Sequence, residues 1–98
     1  MKYEFGPGFI HEALDAEKVI RKAIQKLLRM ISEMTFAELT VHKEVHLEKL
    51  SGLVVVDTGE PLYSVRLTLA ASVLCVVRQD TLMLLSIETG HDKAYRQN

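Results

Sequence analysis

Between Pro61 and Glu88 three largely apolar segments follow one another with only short breaks, and that spacing leaves little choice but a meander of paired strands. In the first, Tyr63, Val65, Leu67 and Leu69 alternate with Ser64, Arg66, Thr68 and Ala70. A period of two gives a half-buried strand with one apolar and one polar face. The second, Ser72 to Arg78 (SVLCVVR), is nearly all apolar and rich in β-branched residues, as befits a central strand covered on both faces. Gln79-Asp80 is a polar break short enough for a hairpin, and Thr81 to Glu88 runs back. Thr89-Gly90 ends that run, and His91, Asp92, Lys93 and Tyr95 arrive together behind it.

The chain ahead of this stretch supplies helices. Met1 to Phe5 alternates Lys2 and Glu4 with Tyr3 and Phe5, a short first strand broken by Gly6-Pro7-Gly8. Phe9 to Leu14 reads as one or two helical turns. Asp15 is a suitable N-cap for a second helix with Ala16, Glu17 and Lys18 in its first turn, unless both segments form one long helix. Val19, Ile20, Ala23, Ile24, Leu27, Leu28, Ile31 and Met34 then recur at three- and four-residue spacing, an amphipathic helix with a core-facing stripe. Its other face carries Lys18, Arg21, Lys22, Lys26 and Arg29.

Thr35 to Glu38 reads as a connection. Leu39 to Leu47 (LTVHKEVHL) alternates like a strand, with Lys43 interrupting the apolar side as at a sheet edge. Ser51-Gly52 is expected to turn, Leu53 to Asp57 is a short apolar run, and Thr58 to Pro61 is a loop. Helices first and strands after give an α+β fold: a short first strand, a helical hairpin, then a twisted antiparallel sheet with the helices on one face. The opposite face is left for binding.

Ninety-eight residues make one domain, 1–98, with a single modest core. No apolar run is long enough to span a membrane and the first residues lack a signal peptide's apolar segment, so the expected compartment is the cytoplasm. A net charge of −1 argues against strong unspecific attraction of the whole protein to nucleic acid. The lone Cys75, inside the most apolar strand, has no partner for a disulfide or a thiolate metal site and reads as a buried thiol.

Few residues carry chemistry. Arg66 sits on the polar side of its strand; its planar fork suits a phosphate, and it equally suits a solvated or ion-paired surface position. His91 titrates near neutrality and can give or take a proton, Tyr95 can stack on a base or cover a sheet edge, and Asp92 can orient His91 or pair at the surface. His42, Lys43, His46 and Lys49 make a positive stripe diluted by Glu44 and Glu48. His42 and His46 have no third ligand nearby, so neither a metal nor any other cofactor is expected. No phosphate-binding glycine loop or nucleophile elbow is present.

Four segments in order resemble the RelE/ParE superfamily, the toxins of bacterial type II toxin–antitoxin pairs. YEFGPGFIHEALDAEKVIRKAIQKLLRMI is similar to the family's short strand and helical hairpin, HLEKLSG to its "lhKLkG" stretch, PLYSVRL to its "lySvRl" strand, and LLSIETGHDKAY to its closing strand and "GHHDEVY"-like end. The resemblance implies a concave sheet face, a cognate antitoxin as partner, and one of two targets. RelE-like members cut messenger RNA in the ribosomal A site through the 2′-hydroxyl; ParE-like members act on DNA gyrase. By position it implies Arg66 as phosphate clamp, His91 as proton carrier and Tyr95 as terminal aromatic, with Lys43, His46 and Lys49 contacting RNA. Two features depart from the pattern. Ala71-Ser72 stands where the family has a second arginine, and the chain is slightly acidic where RNA-cutting members are markedly basic. A gyrase inhibitor or a binding protein that no longer cuts is therefore the alternative reading.

Overall fold

A computed structural model describes residues 1–89. Its elements are β1 (Lys2–Phe5), α1 (Phe9–Asp15), α2 (Lys18–Glu33), α3 (Phe36–Val41), β2 (Glu48–Val54), β3 (Pro61–Thr68), β4 (Ala71–Arg78) and β5 (Thr81–Thr89). The strands form one sheet in the order β1-β5-β4-β3-β2. The expected meander is there: β3 pairs antiparallel with β4, and β4 with β5. The first strand departs from the expected antiparallel sheet, because β1 lies parallel to β5 with Lys2 opposite Thr81 and Phe5 opposite Leu84. The sheet is therefore mixed, and between its two parallel neighbours the chain runs through all three helices and then β2, β3 and β4.

The helices share one face of the sheet. Ile20, Ile24, Leu27 and Ile31, spaced four, three and four apart, put the apolar stripe of α2 into the core. There they join Phe9 of α1, Leu39 of α3, and Val65, Ala71, Val73, Cys75, Leu82 and Leu84 from the sheet. Strand registry puts Ser64, Arg66, Ser72, Leu74, Val76, Met83, Ser86 and Glu88 on the opposite face.

Four local expectations are corrected. Leu39 to Leu47 is not a strand: Thr35 and Glu38 form a reciprocal capping box that starts α3, with Glu38 N–H donating to Thr35 Oγ1 (3.1 Å) and Thr35 N–H to Glu38 Oε1 (2.8 Å). That cap makes Leu39, with no exposed surface, a helical core residue. Ser51-Gly52 does not end a strand but lies inside β2, where the register with β3 shifts between Lys49 and Val54 and Gly52 takes φ +79°. Asp15 ends α1 rather than capping α2, whose N-cap is Glu17. The first meander strand also stops at Thr68, which leaves Leu69 in the turn at 96% exposure.

A basic cleft beside the end of strand three

Beyond Glu48 and Lys49 the outer edge of β3 loses β2 as a neighbour, and the loop after α3 takes its place. Arg66 N–H donates to Val45 O at 2.8 Å. The loop is held by its own first residue: His42 Nδ1 accepts the amides of Glu44 (3.2 Å) and Val45 (3.4 Å), and His42 O accepts the amide of His46 (3.0 Å). His46 has φ +50°, the left-handed region that closes such a turn. Val45 is thereby pinned in the core and Lys43 is left at the surface.

The loop, α2 and the end of β3 enclose a cleft of about 250 Å³ lined by Ala23, Lys26, Leu27, Met30, Lys43, Glu44, Val45 and Arg66 to Leu69. Three cations from three segments border it: Lys26, Lys43 and Arg66. One is partly engaged, since Lys26 Nζ lies 2.8 Å from Glu44 Oε2. That ion pair holds the Glu44 carboxyl below its ordinary value, chiefly through the hydrogen bond and then through the Lys26 charge. Both side chains are about 60% exposed (62% and 63%), so the pair adds little stability and an incoming anion can compete for Lys26. A second cleft, of about 530 Å³, lies beyond Thr68 and is bordered by Asp15, Glu17, Val19, Ala71 and Thr89. Its charged side chains are acidic, which disfavours phosphate there.

Of the residues singled out in sequence, Arg66 and Lys43 both border the basic cleft, Arg66 at the sheet edge from the row that faces away from the helices. His46 is exposed on the same loop but does not line it. Lys49 pairs with Tyr63, which puts it on the helix-bearing side of the sheet, away from the row that holds Arg66. His91 and Tyr95, with Asp92 and Lys93, lie outside the described residues. Lys26 and the positioning role of His42 escaped sequence reasoning. Lys26 looked like one of five equivalent cations on α2, and His42 looked like the polar side of a strand.

The row across the sheet explains the local field. Arg66 faces Ser72 on β4, and Ser72 faces Glu88 on β5. Ser72 is where the resemblance calls for a second arginine. With serine there and Glu88 behind it, Arg66 is the single cation of its row among the described residues. Among the described residues no histidine or tyrosine lines the cleft, so those residues put positive charge around it, from Lys26, Lys43 and Arg66, but supply no imidazole or phenol beside it.

No family model matches the chain, and no curated protein matches it in sequence. Solved structures do. RelE from the RelE–RelB complex of the archaeon Pyrococcus horikoshii OT3 superposes with a TM-score of 0.67 at 15% identity, covering 93% of this chain and 96% of that one. The RelB–RelE antitoxin–toxin complex of Methanococcus jannaschii gives 0.66 at 16%, covering 95% of both. The YoeB dimer of Staphylococcus aureus gives 0.61 at 19%, covering 90% of this chain and 94% of that one. At such identities the likeness speaks for the backbone, and it spans nearly every element from β1 to β5: this chain has the RelE/ParE-like toxin fold.

Proposed function

We propose that this protein is a RelE-like toxin of a type II toxin–antitoxin pair, which binds messenger RNA in the ribosomal A site and cuts it. The observation that carries this reading is that Arg66 and Lys43 border one basic cleft on a RelE-like fold. Arg66 holds the scissile phosphate by paired hydrogen bonds, and Lys43 and Lys26 add charge around it. His91 moves a proton between the 2′-hydroxyl and the leaving 5′-oxygen, and Tyr95 stacks on or orients a base. His46 and Lys49 contribute RNA contacts outside the cleft. The partners are the ribosome, its messenger RNA and a cognate antitoxin, all met in the cytoplasm. Two of the similar structures come from toxin–antitoxin complexes, which supports an antitoxin partner here.

A second reading has its own support. With Ser72 and Glu88 in line with Arg66, the row lacks the paired cations that a cleaving site would use. That favours a protein that binds without cutting, such as a ParE-like inhibitor of DNA gyrase.

Induced expression in a bacterial culture, with messenger RNA ends mapped in the same cells, separates the two. The first reading expects growth arrest with new ribosome-dependent ends, both lost in Arg66→Ala and His91→Ala. Arrest without new ends moves the conclusion to gyrase or another bound target. A folded, soluble protein that causes no arrest overturns the toxin reading.

A further inference from the structure

The two edges of this sheet are built differently. The β2 edge is irregular, with its register shift and the positive φ of Gly52, and a bulged edge is a poor template for another strand. At the opposite side, the upper part of β5 is sealed by α1: Glu12 Oε1 accepts Ile87 N–H at 2.7 Å. Beside the lower part of β5 lies β1, the outermost strand on that side, regular and with all four residues exposed. Two bonds fix its phase: Lys2 N–H donates to Asp80 O (2.9 Å) and Gly6 N–H to Leu84 O (2.7 Å). In a parallel ladder alternate residues direct both backbone groups to the same neighbour. Lys2, Glu4 and Gly6 are therefore committed to β5, while Tyr3 and Phe5 turn N–H and C=O outward.

We propose that a second copy of this chain completes this edge, the two β1 strands pairing antiparallel about a two-fold axis at Tyr3. The register follows from the sequence. Tyr3 and the partner's Tyr3 then exchange both outward backbone bonds, and Phe5 meets the partner's Met1. Lys2 falls opposite the partner's Glu4, and Glu4 opposite the partner's Lys2, at the closely spaced positions where cross-strand charges interact best. Centring the pair on Phe5 would place the partner's Pro7, which has no N–H, opposite Tyr3. Centring it between two residues would set outward groups against inward ones. Centring it on Glu4 or on Lys2 would also align outward groups, but would set like charges opposite each other, Glu4 on Glu4 or Lys2 on Lys2; the register at Tyr3 is the one that satisfies both the backbone and the charges.

The side chains agree with this arrangement. Tyr3 (36% exposed) and Phe5 (41%) form an apolar patch, with Phe5 stacked on Phe9 at 5.5 Å and 8°. Glu4 lies in the field of Arg78, but the Arg78 guanidinium is already gripped at both ends by Glu60, with Nε to Oε2 at 2.8 Å and a terminal nitrogen to Oε1 at 2.7 Å. Glu4 is left available to the partner's lysine.

Sedimentation of the full chain at low salt tests the pairing, using wild type, Lys2→Glu, Glu4→Lys, the double swap, and an equimolar mixture of the two single variants. Both positions are exposed, and equal thermal melts of the dilute proteins confirm that the fold is intact. Wild type is expected to dimerise with concentration, and each single variant to dimerise about tenfold or more weakly, because two attractive pairs become two repulsive ones. The double swap is expected to recover wild-type affinity. In the mixture, the all-acidic and all-basic edges are expected to pair with each other. A wild type that stays monomeric into the millimolar range overturns the proposal. So does a dimer that neither single variant weakens, since that dimer uses another surface.

Discussion

Phe9 offers the most direct probe of how the first helix is held. It is the single buried side chain of α1, at 1% exposure, and its ring lies flat against that of Phe5. Phe9→Ala removes a fully buried ring, and such truncations cost about 3–5 kcal/mol, of which the lost stack accounts for about 0.5–1.5. A domain of this size is stable by about 5–15 kcal/mol, so the variant should fold with much of its margin gone. With a urea slope of about 1–3 kcal/mol per molar, the unfolding midpoint should drop by about 2 M. Phe9→Leu keeps most of the apolar volume and should lose about 1 kcal/mol. Because Glu12 rides on the same helix, exchange of the Ile87 amide should quicken in Phe9→Ala before the rest of β5 is affected. A midpoint drop below about 0.5 M, with the Ile87 amide still protected, would refute the idea that this one ring docks the helix.

Other outcomes follow from single contacts. Thr35→Ala removes half of the capping box and should cost about 1 kcal/mol by urea melt, with the lost helicity confined to α3. Glu60 is held down at about 2, below its ordinary 4.5, first by the Arg78 hydrogen bond and then by the Thr58 hydroxyl. A depressed carboxyl stabilises the fold fully above pH 4.5 and loses that contribution as pH falls toward 2, so Glu60→Gln should flatten this limb of the stability curve. A Glu60 side-chain titration midpoint near 4.5 by NMR would contradict the pairing. Burial pushes the Cys75 thiol up to about 12, so a thiol reagent at neutral pH should label it only after unfolding. Rapid labelling of the native protein would show that β4 opens locally.

The meander and α2 were legible because α2 and the first meander strand each keep one dominant period, the middle strand is a continuous β-branched run, and only short polar breaks part them. The segment from Thr35 to Leu47 was not. Its alternation mimics a strand, yet the T-x-x-E sequence at its head satisfies two helix-end groups at once, and Leu39 then packs from a helix rather than a strand. The parallel pairing of β1 was hidden for a different reason. Four residues alternate equally well in either direction, and direction is set by the long path through three helices and three strands that separates β1 from β5. At the site, Arg66 showed itself through the strand period and the "SVR" context. The approach of Lys43 and Lys26 depends on the His42 turn, a tertiary arrangement with no periodic trace.

The pairing of β1 with β5 also governs when this protein can come into being. Among the described residues β1 has β5 as its one neighbour in the sheet, so its ladder must close between residues 2–5 and 81–84. Contacts so distant in sequence form late, after the local hairpins of β3, β4 and β5 and the helix that packs on them. On the ribosome, β1 emerges first and waits unpaired until β5 has been made. The assembled sheet therefore exists only once β5 has been made, and a chain truncated within β5 would lack both that strand and the anchor of β1.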